Sequence, residues 1–284
     1  MKSNFVVASD IGGTHITSAV VDITTWQILE ETISRSHVNS RADAKSILSS
    51  WSSCIQQAAD LCHDQVTSIG IAMPGPFDYE NGISLMKNQD KYDALYNMNV
   101  SNGILERLSK EKEVRFINDA AAFLQGEIYA GNLQHKTGIL GVTLGTGLGS
   151  AVWHQGEKAF DADLWNTPYK DSIFEEYLVT RWLTRRFKEL SGHEEEGFKD
   201  ILTKHRNSTA FDQLLTEYTQ SLEDFLQYFS DTHGSRCFVL GGNITNAWEL
   251  IRSYNEQAFD QYEIFTGKYA EHAAILGAAS LFKG

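Results

Sequence analysis

The amino-acid sequence predicts an α/β fold with extensive parallel strand pairing, in a chain long enough for two domains. Strand-like runs alternate with helical runs along the 284 residues, which is typical of sheets built from parallel strands. Two glycine-rich segments, at 5–14 and 139–149, each end a strand-like run and lead into another, so each predicts a strand hairpin. With 42% hydrophobic residues, the chain can bury a sizeable core.

The first half of the chain is predicted to alternate strands with helices. After the first hairpin, apolar residues at helical spacing predict a helix from Ala42 to His63. The run Ser68 to Met73 predicts a strand that must stop there, because Pro74-Gly75-Pro76 prevents regular continuation. The same patterns then predict a helix at 102–112, a strand at 114–117 and an Ala-rich helix at 120–130.

Helices dominate the second half of the prediction. Residues 154–172 show no clear period and predict a loop-rich insertion. Helical spacing predicts helices at 175–190 and 208–229, and the aromatic stripe of the second is interpreted as core. A predicted strand at 237–240 ends at two glycines, and two more helical segments follow, the last at 271–281.

Composition limits the partners and the compartment. The formal net charge of −13 argues against nucleic acid and against anionic membranes, because both bind basic patches. It also means that any ATP must arrive with Mg²⁺. The one basic cluster lies on an amphipathic helix and is interpreted as a solvated face; it comprises Arg181, Arg185, Arg186 and Lys188. Three separated cysteines indicate neither a disulfide framework nor a zinc site. Without a signal peptide or an apolar run of membrane-spanning length, the protein is expected to be cytoplasmic.

The two glycine hairpins are candidate phosphate sites. Glycine has no Cβ, so such turns let backbone N–H groups approach anionic oxygens while threonines offer hydroxyls. The candidate residues are Gly12, Gly13 and Thr14 in the first hairpin and Gly145, Thr146 and Gly147 in the second. Two such hairpins are suited to hold one nucleotide; the alternative is that the glycines serve only the turns. A P-loop is excluded because no Gly-x-x-x-x-Gly-Lys-Ser/Thr motif occurs, and a Rossmann fingerprint is excluded because Gly145-Thr-Gly-Leu-Gly149 leads into strand-like residues rather than a helix.

Acidic residues follow two predicted strands. Open α/β sheets place ligands at the carboxyl ends of their strands, where Asp10 and Asp119 lie. Phosphoryl transfer needs a group that carries Mg²⁺ and a carboxylate that deprotonates the attacking hydroxyl. Asp10 is the candidate Mg²⁺ ligand and Asp119 the candidate general base. The alternatives are that Asp10 is a turn residue and that Asn118 or Asp119 only caps the following helix.

Five segments together resemble the ROK family of sugar kinases, within the actin, hexokinase and Hsp70 superfamily. They are, in the family's order, Asp10-Ile-Gly-Gly-Thr14, Ala72-Met-Pro-Gly-Pro76, Ile117-Asn-Asp-Ala120, Leu144-Gly-Thr-Gly-Leu-Gly149 and Leu240-Gly-Gly-Asn243. The ending Ala273-Ala-Ile-Leu-Gly-Ala-Ala279 is similar to the family's final helix. The resemblance implies a two-domain actin-like ATPase (ribonuclease H-like) fold with a central cleft. It also implies one domain at 1–119 plus 270–284 and another at 120–269.

The resemblance also assigns roles to residues. It implies that Asp119 is the general base and that Asn118 holds a sugar hydroxyl. Gly75 and Asn88 would line the same sugar pocket. Glu175 occupies the position of a sugar-binding glutamate, although a carboxylate in the first turn of a helix is an equal reading. Gly241 and Gly242 would form the adenosine loop.

One segment departs from the family pattern. Many relatives have a Glu-x-Gly-His segment and a cysteine-rich zinc module, where this chain has Phe160-Asp-Ala-Asp-Leu-Trp165 and no cysteine between Cys62 and Cys237. No structural zinc is therefore expected. Asp161 or Asp163 is the candidate replacement for the family's sugar-binding glutamate, and either is equally compatible with a solvated loop residue.

These observations predict ATP- and Mg²⁺-dependent phosphorylation of a hydroxyl on a hexose or hexose derivative. A non-catalytic sugar sensor of the same fold is the alternative, and a third reading is a hydrolase that positions water with Asp119. Family repressors carry a DNA-binding segment before the first phosphate motif, whereas four residues precede Phe5 in this sequence, so no nucleic-acid partner is expected. The family likeness favours a homodimer, and no membrane contact is expected.

Overall fold

A computed structural model describes residues 4–62, 66–108 and 111–283. The chain divides into two compact units. The first unit comprises Met1–His135, Gly156–Phe160 and Glu271–Gly284. The second comprises Lys136–Gln155 and Asp161–Ala270. The end of the chain therefore belongs to the same unit as its beginning.

Strands and α-helices alternate along much of the described chain. The strands are β1 (Phe5–Ile11), β2 (His15–Asp22), β3 (Gln27–His37), β4 (Ser68–Met73), β5 (Phe77–Asp78), β6 (Ile83–Ser84), β7 (Glu113–Asn118), β8 (Gly138–Leu144), β9 (Leu148–His154), β10 (Phe160–Asp161), β11 (Pro168–Tyr169), β12 (Ser172–Ile173), β13 (Cys237–Gly241) and β14 (Glu263–Thr266). The α-helices are α1 (Ala44–Asp60), α2 (Val100–Leu105), α3 (Asp119–Ala130), α4 (Glu175–Leu178), α5 (Thr180–Ser191), α6 (Phe198–His205), α7 (Thr209–His233), α8 (Trp248–Arg252), α9 (Glu256–Phe259) and α10 (Ala273–Ala279).

The larger sheet of the first unit has the strand order β3-β2-β1-β4-β7. Both predicted features are present: β1 and β2 form an antiparallel hairpin, and β1, β4 and β7 run parallel. Helix α1 begins where the Asp43 side chain accepts a hydrogen bond from Ser46 N at 3.0 Å, and its apolar face packs on this sheet. It is two residues shorter at its start than predicted, and the predicted end at His63 lies outside the described residues.

The helix predicted at 102–112 is shorter than expected. Helix α2 begins at Val100, because the Asn99 side chain accepts a hydrogen bond from Asn102 N at 2.8 Å and caps it there. It ends at Leu105, well before the predicted end. Residues 109 and 110 lie outside the described part of the chain.

Helices α3 and α10 of the first unit approach each other unusually closely. A Cβ on Gly126 would overlap the carbonyl oxygen of Ala273, and a Cβ on Gly277 would overlap the carbonyl oxygen of Ala122. Likewise, a Cβ on Gly70 of β4 would overlap the carbonyl oxygen of Ala278. Because glycine has no side chain, these three positions let α10 pack against both α3 and the sheet.

The second unit repeats the strand arrangement of the first. Its larger sheet has the order β10-β9-β8-β13-β14, with β8 and β9 as an antiparallel hairpin and β8, β13 and β14 parallel. The core of this unit contains the predicted aromatic stripe of α7, including Phe211, Tyr218, Phe225 and Phe229. Strand β14 lies where only helical segments were predicted.

The helix predicted at 175–190 is two helices. Val179 has extended backbone angles, φ −109° and ψ 164°, which separate α4 from α5. The final predicted helix is likewise short: α10 is flanked by single turns of 3₁₀-helix at Ala270–His272 and Ser280–Phe282. Of the helices in the described residues, none has the length and apolar character needed to cross a membrane.

Candidate active site

Three parallel strands of the first unit end at the same sheet edge. In the strand register, Asp10 of β1 is opposite Ala72 of β4, and Met73 is opposite Asn118 of β7. Asp10, the Pro74-Gly75 segment after β4, and Asn118-Asp119 therefore lie along one edge. This edge is where open α/β sheets bind ligands.

Asp119 is the first residue of α3 and is held in place by its own helix. Its Oδ1 accepts a hydrogen bond from Ala120 N at 2.8 Å. Asp119 keeps solvent-accessible surface, but the protein around its carboxylate desolvates it, and this desolvation raises its pKa. The positive charge of Lys91 acts in the opposite direction. Asp119 is thus an oriented carboxylate with a raised affinity for a proton.

Asp10 is half-buried, and its electrostatic surroundings favour a cation. Desolvation, followed by the nearby negative charge of Asp119, raises the pKa of Asp10 from 3.8 to about 7, while Arg35 lowers it. Two carboxylates that repel each other are a suitable environment for a divalent ion with oxygen ligands. The described residues contain no group of three or more His, Cys, Asp or Glu arranged as a metal site. An ion at Asp10 would therefore need further ligands from water or from a bound phosphate.

Asn118 caps α3, as the structural alternative predicted. Its Oδ1 accepts a hydrogen bond from Ala121 N at 3.1 Å, and its Nδ2 donates to Tyr79 Oη at 3.3 Å. The Tyr79 hydroxyl donates to Met73 O at 3.2 Å and would lie 3.2 Å from a Cβ added to Gly75. Asn118 and Gly75 are therefore linked through one tyrosine. Their contact with a sugar stays a prediction.

Asn88 lies on the exposed loop between β6 and α2. Its backbone is left-handed, with φ +59°. This loop is attached to the first hairpin through Tyr92, a buried residue whose hydroxyl donates to Gly12 O at 2.6 Å. Tyr92 and Lys91 are not among the predicted site residues. Both lie in a polar segment whose sequence gives no signal of the Tyr92 contact with Gly12 or of the Lys91 charge near Asp119.

The first glycine turn is open. Gly12 N donates to His15 O at 2.9 Å and closes the turn. A Cβ on Gly13 would meet no heavy atom of the described residues within 4 Å, and no positive φ requires glycine there. Thr14 is exposed, and its hydroxyl lies 2.9 Å from His15 Nδ1. The fold of this unit thus gives no packing reason for glycine at position 13.

The second glycine turn lies beside the β13 end in the second unit. Gly241 is opposite Thr143 in the register of β8 and β13, so Gly241-Gly242 follows the strand next to the turn. Gly242 has φ +89°, and a Cβ there would overlap the backbone of Leu144, so the fold itself requires this glycine. Gly145 differs, because its Cβ position is open within the described structure. Thr146 is exposed at the tip.

Glu175 contacts the second glycine turn. Its Oε2 accepts a hydrogen bond from Leu148 N at 3.0 Å, and its Oε1 pairs with Arg181 Nη2 at 3.0 Å. Arg181 also donates to Thr146 O at 3.3 Å. The basic cluster interpreted as a solvated face thus has one member bound to a candidate phosphate turn, a contact that helical spacing does not reveal.

Asp161 and Asp163 form a local turn in the second unit. Asp163 N donates to Asp161 Oδ1 at 2.9 Å, and Trp165 Nε1 donates to Asp163 Oδ1 at 2.8 Å. Asp163 is exposed and has a left-handed backbone with φ +52°. Its role toward a sugar stays a prediction.

Comparison with known proteins defines the class of this chain. The model of the ROK family matches residues 6–160, more than half of the sequence, and the chain belongs to the ROK family. The sequence is 23% identical over 262 residues to a glucokinase of Thermotoga maritima, covering 78% of this chain and 80% of the relative. It is 24% identical over 314 residues to an N-acetyl-D-glucosamine kinase of Histophilus somni, covering 96% and 97% of the two chains.

Solved structures show the same fold. A putative sugar kinase from Cytophaga hutchinsonii superposes with a TM-score of 0.83 at 17% identity, covering 99% of this chain and all of that one. A ROK family glucokinase from Streptomyces griseus, solved with glucose and AMPPNP, gives a TM-score of 0.74 at 19% identity, with 98% of both chains covered. The predicted family and the predicted actin-like α/β fold are thus confirmed.

Proposed function

We propose that this protein transfers the terminal phosphoryl group of ATP to a hydroxyl of a hexose or hexose derivative. The observation that carries the proposal is the pair of carboxylates at the ends of β1 and β7, one of them oriented by Ala120 N–H. The glucokinase and N-acetyl-D-glucosamine kinase relatives support the substrate class.

In the proposed reaction, Asp119 accepts the proton of the attacking sugar hydroxyl. The hydroxyl oxygen forms a bond to the γ-phosphorus as the bond to the β,γ-bridging oxygen breaks, which releases ADP. A carboxylate with a raised pKa suits this role, because a general base works best when its pKa lies near the working pH. In the first unit the open turn at Gly13 is a proposed phosphate contact, and in the second unit the amides of Thr146 and Gly147 are.

The residues present fit a Mg²⁺ requirement. Asp10 is an oxygen ligand beside a second carboxylate, and a cation there would offset the desolvation and the repulsion by Asp119 that together raise the pKa of Asp10. Mg²⁺, when bound, supplies charge neutralisation to the phosphates. Asp10 would hold the ion directly or through water.

The segment at 160–165 supports one rival function. A ROK family transcriptional regulator also shares the fold, with a TM-score of 0.77 at 16% identity, covering 97% of this chain and 76% of that one. The altered segment of this chain, Phe160-Asp-Ala-Asp-Leu-Trp165, leaves a non-catalytic sugar sensor as the alternative.

A screen for ADP release distinguishes these functions. We expect Mg²⁺-dependent ADP release with one or more of glucose, mannose, fructose, allose and the N-acetylhexosamines. Sugar binding without ADP release from any of them would support the sensor, and ADP release without sugar would support a hydrolase.

Substitution of the proposed base tests the mechanism. Asp119→Asn should lower kcat by about 10²- to 10⁴-fold, a barrier increase of roughly 3 to 5 kcal/mol, while the protein stays folded. Asp231→Asn, at an exposed position on α7, is the matched control and should keep its rate. A near-normal rate for Asp119→Asn would remove Asp119 from the mechanism.

A further inference from the structure

The turn Gly145–Leu148 is attached to the junction between α4 and α5. Thr180 donates two hydrogen bonds to Gly145 O, from its backbone N at 2.8 Å and from its hydroxyl at 3.0 Å. Arg181, the next residue, donates from Nη1 to Thr146 O at 3.3 Å. Two consecutive carbonyls of the turn are therefore held by two consecutive residues of one helix.

Glu175 holds the other side of the same turn. Its Oε2 accepts the Leu148 amide at 3.0 Å, and a Cβ on Gly147 would approach this oxygen to 3.3 Å. The glycine at 147 thus leaves room for the carboxylate. Within the described structure, the amides of Thr146 and Gly147 keep no acceptor and are free to face a ligand.

A carboxylate at an anion-binding turn creates an electrostatic conflict. Glu175 would repel a phosphate bound at the amides of Thr146 and Gly147. The Arg181 guanidinium resolves this conflict, because it pairs with Glu175 Oε1 at 3.0 Å and with Glu176 Oε1 at 2.6 Å. One arginine thereby offsets part of the negative charge of these two carboxylates and also anchors the turn.

We propose that Arg181 and Glu175 are positioning residues for the nucleotide-phosphate turn at 145–148, with Arg181 screening the Glu175 charge from the bound phosphates. This inference rests on the proposed function, since it takes the turn to hold a nucleotide. It gives Glu175 a role in nucleotide binding, separate from the sugar contact that the family resemblance implies.

Binding of Mg²⁺-ADP, measured by isothermal titration calorimetry, tests the proposal without requiring turnover. Arg181→Ala should weaken ADP binding by about tenfold. Arg185→Ala, an exposed arginine one turn further along the same helix, is the matched control and should bind ADP as the native protein does. Adding Glu175→Gln to Arg181→Ala should restore most of the affinity, because the glutamine oxygen still accepts the Leu148 amide and carries no charge.

Kinetics separate this role from general damage to the enzyme. With a sugar that gives turnover, Arg181→Ala should raise the KM for ATP about tenfold, a larger factor than any change in the KM for the sugar or in kcat. Arg181→Gln is the second variant if the alanine protein fails to fold. Native affinity for ADP in a folded Arg181 variant, or a double variant that binds no better than the single one, would overturn the proposal. If the native protein binds ADP but phosphorylates no sugar, the proposed function fails while this test still applies.

Discussion

At the scale of single residues, the ionisation of Asp10 should make the free energy of unfolding depend on pH. Its pKa is 3.8 in the unfolded chain and about 7 in the folded protein, so the folded state holds the proton more tightly. The stability that this proton affinity contributes is fully present below about pH 4 and is lost as the pH rises through 7. Asp10→Asn removes the ionisation, so its stabilising effect should grow between about pH 5.5 and 7 and level off above that. Urea unfolding of the ligand-free protein at about pH 5.5, 6.5, 7.5 and 8.5 measures this.

Asp78 provides a control of opposite sign. Hydrogen bonds from Asn81 lower the pKa of this exposed carboxylate. The stability that Asp78 contributes is therefore fully present at any pH above the pKa that its carboxyl has in the unfolded chain. All four pH values lie above it, so Asp78→Asn should be mildly destabilising by the same amount at each. A flat profile for Asp10→Asn as well would show that Asp10 is not the titrating group.

At the scale of single elements, glycines of two kinds should respond differently to alanine. Gly277→Ala places a Cβ against the Ala122 carbonyl, so α10 and α3 must separate and the protein should lose about 1 to 3 kcal/mol of unfolding free energy. Gly13→Ala meets open space in the described structure and should keep the native stability. The same substitution should weaken Mg²⁺-ADP binding, because its methyl group occupies the approach to the turn amides. Urea denaturation and calorimetry on both variants check the pair.

The elements that the sequence predicted best are those whose ends have a local chemical cause. Strand β4 stops at Met73 because Pro74 follows, and α3 starts where the Asn118 side chain caps it. The sequence predicts one helix at 175–190, whereas the structure breaks it at Val179. The break accompanies hydrogen bonds from Thr180 and Arg181 to carbonyls 35 residues earlier in the chain, which helical spacing does not reveal. Strand β14 was missed because its four residues become a strand only by pairing with β13. The glycine turns and Asp119 were visible as motifs, whereas the supports of those motifs depend on tertiary contacts.

At the scale of the whole molecule, the two units arrange their strands alike: an antiparallel hairpin, with the glycine turn at its tip, precedes two parallel strands. The motifs at 10–14 and 144–149 are therefore equivalent positions in a repeated architecture. This equivalence explains why one sequence pattern occurs twice. The two units differ in their acidic residues, because the predicted metal ligand Asp10 and the predicted base Asp119 both belong to the first unit.

In the first unit, the segment that begins at α10 packs against strands and a helix from the first half of the chain. Helix α10 packs on β4 through Gly70 and on α3 through Gly126, and Ser280 and Leu281 are hydrogen-bonded to Gln125 and Arg115. We therefore expect a fragment of residues 1–135 to lack a cooperative thermal transition by circular dichroism. Joining residues 270–284 to it through a flexible linker should restore the transition, because the α10 contacts form again within one chain.

A fragment of residues 136–270 is the counterpart in this experiment. It contains its own core, formed by α7 and the strands β8 and β13, and should melt cooperatively without α10. Cooperative melting of 1–135 alone would show that the strands and α1 suffice for the first unit and that α10 only covers it. Failure of the linked fragment, with 136–270 intact, would place the decisive contacts of the first unit in the short segment at 156–160, where Lys158 donates to Phe116 O at 3.1 Å and Ala159 N to Gln125 Oε1 at 2.8 Å.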